Sequence, residues 1–289
     1  MTATTTRPPA APAVTVAATP APVARRRRTV PVGLVLAWAV IATVLAWALL
    51  PGVLAPFDAY SSVGAGLQAP GGEHLLGTDA NGRDLFSRVV HGARESLTGA
   101  LVAVTVGLAV GTLLGVVAGT VGGIVEEALM RVVDVLLAIP GLLLALTVVV
   151  LLGPGTVNAA LAVGVGAVAG FARLVRAEVV QVRATEYVEA AYGSGGRVLS
   201  VLWRHVLRNS LRPVVALAAM QLGAAILALS TLGFLGYGVT PPDPEWGMII
   251  AQGRDLLAAA WWVTTLPGLV IVAVVLSVNR VSRFLGSER

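Results

Sequence analysis

Residues 184–209 read ATEYVEAAYGSGGRVLSVLWRHVLRN, a polar, arginine-rich stretch between two long apolar segments. The chain is organised around this stretch, which the residue pattern divides into a helix, a turn and a second helix. Thr185 is placed to cap the first piece, with Glu186 and Glu189 in its opening turn, where the helix dipole favours negative charge. Ser194, Gly195 and Gly196 break it. At about 100° per residue, Arg197, Arg204 and Arg208 fall on one face of the second piece, and Leu199, Leu202, Trp203 and Val206 fall opposite, with Val201 the one departure. A segment of this kind lies against a membrane surface or a partner protein.

The composition points to a bilayer. A chain of 289 residues that is 56% hydrophobic has more apolar surface than a soluble domain of its size can bury. The net charge of +5 comes from arginines that sit beside apolar segments, so the positive-inside rule explains it better than nucleic-acid binding. Every basic residue is Arg, which leaves no lysine for a P-loop, a Schiff base or a kinase site. Cysteine is absent and the three histidines, His74, His91 and His205, are far apart, so thiolate chemistry is excluded and a histidine metal site is not expected. No catalytic and no metal-binding residues are assigned.

Taken in order, residues 1–30 form an Ala-, Thr- and Pro-rich tail that reads as disordered, and residues 31–289 read as one membrane domain. Arg25 to Arg28 precede an apolar run long enough to cross a bilayer, which needs about 20 residues; a signal peptide shares that pattern, but the length of the run favours a retained span with its N-terminus in the cytoplasm. Six spans are expected, at 32–50, 96–122, 132–152, 156–174, 213–235 and 262–281, with both termini cytoplasmic. Residues 51–95 then form an outer segment, Glu126 and Glu127 a short inner turn, and the arginines from Arg173 to Arg212 an inner loop. Gly107, Gly111, Gly115 and Gly119 recur at every fourth residue, a spacing that lets helices approach closely. Two readings of that stripe stay open: packing within the chain, or contact with a second membrane subunit. Among ionisable groups only Asp134, one turn from Arg131, approaches the membrane interior, so a proton relay has little to work with.

Three stretches carry a resemblance to a known family. Glu189-Ala190-Ala191, then Gly195, then a helix running through His205 to Asn209 resembles the EAA loop of bacterial ABC importer permeases, which usually have Pro where Arg208 stands here. Residues 74–97, HLLGTDANGRDLFSRVVHGARESL, are similar to a signature of the OppC/DppC branch of dipeptide, oligopeptide and nickel permeases. The match is in register at Gly77, Thr78, Asp79, Gly82, Arg83, Asp84, Arg88 and Arg94, with Leu75 in place of the usual Pro. Residues 229–249, LSTLGFLGYGVTPPDPEWGMI, resemble the family's ending of the fifth span.

The resemblance implies an all-α, six-helix type I ABC importer permease, a non-enzymatic subunit in the bacterial inner or plasma membrane. Its implied partners are a homologous permease subunit, two ATPase subunits that hold the ATP and Mg, and an extracellular substrate-binding protein, with no cofactor on this chain and no nucleic acid. Residues 184–209 would be the coupling loop, with Glu186, Glu189, Ala190, Ala191, Gly195, Arg197, Arg204 and His205 on the ATPase side. In the signature, Asp79, Arg83 and Asp84 are expected to pair and hold an extracellular structure against the helix tops, with substrate contact as the other reading. Pro241, Pro242 and Pro244 forbid continuous helix, and Pro241, Pro242, Asp243, Glu245 and Trp246 would form a polar aromatic rim facing the pathway and the binding protein, or an interfacial turn anchored by Trp246. Dipeptides or oligopeptides are the expected cargo, since a pathway without buried charge suits peptides held through their backbone. Nickel chelates, haem or other small ligands are alternatives within the architecture, and an ion-coupled secondary carrier is the alternative outside it.

Overall fold

The computed structural model describes residues 32–286; the 1–30 tail with the Arg25–Arg28 cluster, and Arg289, lie outside the described residues. Eleven α-helices follow in order: α1 Val32–Leu49, α2 Pro51–Leu54, α3 Leu85–Val121, α4 Gly123–Ala138, α5 Gly141–Leu152, α6 Thr156–Arg183, α7 Glu186–Gly193, α8 Val198–Val201, α9 Arg208–Phe234, α10 Trp246–Gly253 and α11 Trp262–Gly286. A π-helical turn, Leu202–Leu207, joins α8 to α9. Among the described residues, α1, α3, α6, α11 and the Pro213–Phe234 part of α9 are long and apolar enough to cross a membrane, and α4 with α5, bent by 96° at the break between them, counts as a sixth when the pair is taken as one span.

Three boundaries differ from the sequence expectation. α3 starts at Leu85 rather than Ser96, because Asp84 caps it by accepting from Ser87 N at 2.7 Å; about three polar turns are therefore helix and not loop. The expected 132–152 span is not one helix. Ile139 is extended ahead of Pro140, whose ring excludes the helical region for the preceding residue, so the chain turns sharply there, and Glu126 and Glu127 lie inside α4 rather than in a turn. α6 continues past Leu174 to Arg183, 28 residues long, about 42 Å against a hydrocarbon core of about 30 Å. Arg173, Arg176 and Arg183 therefore sit on its last turns.

The closest helix pair is α3 with α6, and the two run parallel. A Cβ added to Gly107 would stand 2.7 Å from Ala167 Cβ, one on Gly111 2.5 Å from Phe171 Cβ, one on Gly115 2.6 Å from Ala172 O, and one on Gly119 2.8 Å from Val179 Cγ1. Both partners advance together along the chain. Of the two readings of the glycine stripe, packing within the chain is the one found. Because α3 and α6 are parallel neighbours, α4 and α5 must carry the chain back between them. α11 closes the bundle against α1 and α9, with Ser282 Oγ donating to Ala216 O at 3.0 Å.

The stripe yields a direct test. Gly111→Leu should destabilise the chain by about 3 kcal/mol or more, since the added atoms meet backbone and Cβ rather than flexible side-chain ends. Gly193→Ala, where a Cβ meets nothing within 4 Å, should leave stability unchanged or slightly raised. Thermal unfolding and size-exclusion profiles in detergent would check the pair, and equal behaviour of the two variants would refute the packing account.

Candidate functional site

Two groups of side chains stand out, one at each end of α3 and α6. The first is built on residues 55–88. Asp79 accepts from Asn81 N (2.8 Å), Arg83 N (3.0 Å) and Arg83 Nε (2.7 Å). Asp84 divides its oxygens between His74 Nδ1 (2.9 Å) on one side and Ser87 N and Oγ (both 2.7 Å) on the other. Thr78 Oγ1 donates to Ala65 O at 2.8 Å and accepts from Gln68 N at 2.9 Å, which fastens the preceding loop. Gly82 adopts φ +73°, and a Cβ there would fall 2.2 Å from Gly64 O, so only glycine fits the turn.

Arg88 draws this structure onto the far part of the chain. Its side chain is fully buried; Nη1 donates to Ala59 O (3.1 Å) and Pro242 O (3.4 Å), Nη2 donates to Gln252 Oε1 (3.4 Å), and Nε stands 3.5 Å from Asp79 Oδ2. One guanidinium thus holds the 55–84 loop, α3 and the segment that leads into α10.

Glu245 and Trp246 pack beside it. Glu245 caps α10, accepting from Gly247 N and Met248 N at 2.9 Å each and from Ser96 Oγ at 3.2 Å. Trp246 is fully buried and donates through Nε1 to Val89 O at 3.0 Å. Neither residue forms the expected rim or interfacial anchor, because α10 folds back so tightly that a Cβ on Gly247 would lie 2.2 Å from Ser230 O, turning both side chains inward onto α3. Pro241, Pro242 and Asp243 remain exposed. Burial pushes the Glu245 carboxyl above its ordinary range, against the lowering effect of its backbone and Ser96 hydrogen bonds.

The second group is the 184–209 segment. α7 ends with Gly195 N donating to Tyr192 O (3.0 Å) and Gly196 N donating to Ala191 O (3.1 Å), with Gly195 at φ +83°, a Schellman motif with its glycine at C′. A Cβ on Gly196 would meet Ala191 O at 2.6 Å, so Gly196 is held as tightly as Gly195 by a different cause. The arrangement of the second piece departs from the 100° wheel. Val201 is buried, whereas Trp203 is 71% exposed and lies in the π-helical turn Leu202–Leu207, where the residues no longer follow 100° spacing.

Above the segment, the end of α6 is tied to its neighbours. Arg183 Nη1 donates to Gly119 O (2.7 Å) and Thr120 O (2.6 Å), satisfying carbonyls at the end of α3. Arg176 Nε donates to Glu126 Oε1 at 2.6 Å, and Arg173 pairs with Asp134 across α4 and α6. Asp134 is therefore partnered by α6, while Arg131 pairs with Glu127 at 3.1 Å.

These features match those of known proteins. Residues 111–287 match the family model of the binding-protein-dependent transport system inner membrane component. The chain belongs to that family. It is 41% identical over 205 residues to the di/tripeptide transport system permease protein DppC of Pseudomonas aeruginosa, covering 71% of this chain and 68% of that protein. It is 38% identical to the dipeptide transport system permease protein DppC of Alkalihalophilus pseudofirmus (74% and 71% covered) and 37% identical to the glutathione transport system permease protein GsiD of Pectobacterium atrosepticum (78% and 76% covered). An inward-facing structure of the MetNI methionine ABC transporter shares the fold, with a TM-score of 0.56 at 22% identity over 70% of this chain and 97% of that one. The protein is a multi-pass permease subunit of the type I ABC importer fold and is not an enzyme.

In the permease, Gly77, Thr78, Asp79, Gly82, Arg83, Asp84 and Arg88 come together in one buried cluster, with Arg94 exposed and apart from it. Glu186, Glu189, Ala190, Gly195, Arg197 and Arg204 are all exposed along the 184–209 segment and Ala191 is half-buried, while the side chain of His205 lies outside the described residues. Sequence reasoning named Gly196 only as a helix breaker, placed Trp203 on the apolar face and set Glu245 and Trp246 at a rim; the structure shows Gly196 pressed on Ala191 O, Trp203 exposed and the pair turned inward.

Removing the guanidinium in Arg88→Met strands Ala59 O, Pro242 O and the Gln252 side chain. The loss should be about 3 kcal/mol, with faster proteolysis of the 55–84 loop; wild-type protease resistance would count against the clasp. Glu245 also predicts a pH effect. Its folded-state pKa is raised, so its contribution to stability is complete below the ordinary Glu value of about 4.3 and is lost as pH rises through the elevated folded value. Relative to wild type, Glu245→Gln should therefore gain thermal stability as the pH is raised from about 4.3 towards neutrality; a pH-independent difference would contradict the sign.

Proposed function

We propose that this permease imports short peptides as one half of a transmembrane pair, with one of the importer's two ATPase subunits seated on residues 184–209 and a substrate-binding protein at the Pro241–Asp243 end. The peptide assignment is supported by the relatives' dipeptide, di/tripeptide and glutathione transport names. ATP and Mg belong to the ATPase partners. The arginine-rich end faces the cytoplasm, in keeping with the positive-inside rule, and both termini lie on that side.

The observation that carries the coupling role is continuity. α6 ends at Arg183, α7 begins at Glu186, and from Val198 the helix runs through the π-helical turn into α9 as far as Phe234. A displacement of α7 is thus passed to two membrane helices without a flexible linker. Closure of the ATPases would carry the segment with it, tilt α6 and α9, and open the pathway alternately to each side. Glu189 and Glu186 offer polar contacts, Gly195 sets the turn, and Trp203 supplies the exposed aromatic anchor such an interface needs.

Reconstitution with the partner permease and ATPases in liposomes tests this. A dipeptide-loaded binding protein should stimulate ATP hydrolysis, and Glu189→Ala or Trp203→Ala should cut the stimulation about tenfold, the scale of an interface hot spot. Gly195→Leu should leave hydrolysis running while uptake falls. Uptake that follows an ion gradient without the ATPases would sink the importer reading.

A further inference from the structure

Between α3, α5, α6 and α9 lies a cavity of about 190 Å³ whose walls include Ala103, Ala145, Gly166, Ala224 and Ala228. One polar side chain lines it, that of Gln221. Gln221 stands near the middle of the Pro213–Phe234 span and makes no side-chain hydrogen bond among the described residues. An amide at that depth is costly unless water or a ligand satisfies it.

The walls differ from lipid-facing surface. Elsewhere on the same helices the exposed positions carry bulk, as at Leu101, Leu113, Val150 and Leu227. Around Gln221 they are mostly Ala and Gly, with Val104 and Val163 the only larger side chains besides Gln221 itself. Nor do the cavity glycines serve packing: a Cβ on Gly141 or Gly166 would meet nothing within 4 Å, whereas Gly164, two residues before Gly166, would meet Ala103 O at 2.9 Å. One face of α6 is pressed onto α3 while the other borders open space.

We propose that Gln221 is a substrate-positioning residue, holding a peptide bond of the cargo as it passes through this cavity. A side-chain amide offers both donor N–H groups and an acceptor carbonyl, and can thus complement a peptide C=O and N–H together. The lining carries no charge, so it suits a neutral backbone and not a bare cation or a phosphate. Its volume is below the 300–1,000 Å³ or so of a complete small-molecule site, which fits a short length of extended chain. The inference rests on the peptide reading above.

The test uses the complete reconstituted importer. Uptake of a labelled dipeptide per ATP hydrolysed should fall about fivefold in Gln221→Leu, the size of one lost hydrogen bond, and at least as far in Gly166→Leu, which fills the cavity. The variant Leu227→Val, at an exposed position outside the cavity, should match wild type. Because the chain has no cysteine, Ala224→Cys gives it a single thiol, expected to react with a water-soluble methanethiosulfonate and to be shielded when dipeptide and its binding protein are present. Wild-type uptake in Gln221→Leu and Gly166→Leu, or an Ala224→Cys thiol reached only by lipid-soluble reagents, would overturn the assignment while leaving the importer intact. A wild-type complex whose hydrolysis responds to its binding protein but which takes up no dipeptide would instead remove the peptide reading, and this inference with it.

Discussion

The contact between α3 and α6 is the constraint on which the rest of the permease depends. Four glycines in a row bring the backbones of these helices so close that added Cβ atoms would overlap the partner. Since the two helices are parallel, they end at the same level. That shared end lets Arg183 donate to the last carbonyls of α3 and Arg176 reach Glu126 at the start of α4. It also dictates the return path, for a chain that must come back between parallel neighbours needs a further crossing, and α4 with α5 provides it, broken at Pro140. The 184–209 segment therefore hangs from a helix already fixed along most of its length.

α3 extends the same rigidity to the opposite end. Its first turns carry Arg88, whose buried guanidinium would be a liability in apolar surroundings without oxygens to receive its protons. Ala59, Pro242 and Gln252 supply those oxygens, and each comes from a different part of the chain. Burial of this one charge thus demands that the 55–84 loop and the approach to α10 be in place together. Glu245 and Trp246, bonded to Ser96 and to Val89 O, close the arrangement from the other side. Contiguous packing joins this cluster to the 184–209 segment through α3 and α6.

The number of apolar crossings and the position of the 184–209 segment were legible in the sequence because hydropathy and arginine placement report them directly. Three kinds of feature were not. Hydropathy is blind to a polar helical start, so Leu85–Glu95 read as loop although Asp84 carries a capping side chain. An apolar run does not reveal its own bend, and Pro140 inside 132–152 was the available sign. A helical wheel assumes constant pitch, and the π-helical turn from Leu202 breaks that assumption, so Trp203 is exposed where the wheel put it inside. The inward turn of Glu245 and Trp246 left no local trace, since it depends on how closely Gly247 meets Ser230, a contact between residues of two separate helices. Gln221 was passed over for a related reason: a lone amide in an apolar run signifies little until the walls around it prove to be small.

The division of labour within α6 bears on selectivity. Gly164 presses that helix onto α3, and Gly166 opens the neighbouring face to the cavity, so the sealed side and the open side are two residues apart. Specificity is a difference in binding free energy between competitors, and walls made mostly of Ala and Gly make few contacts that vary with the side chain passing them. A peptide bond, by contrast, is common to every peptide. On the peptide reading, such a passage treats cargoes of different sequence alike and leaves discrimination among them to the binding protein, which meets the side chains before the permease does. Relatives whose names specify di/tripeptides and glutathione can then share much of one permease sequence without sharing a substrate, because the part of the cargo that the membrane helices would read is the part those substrates have in common.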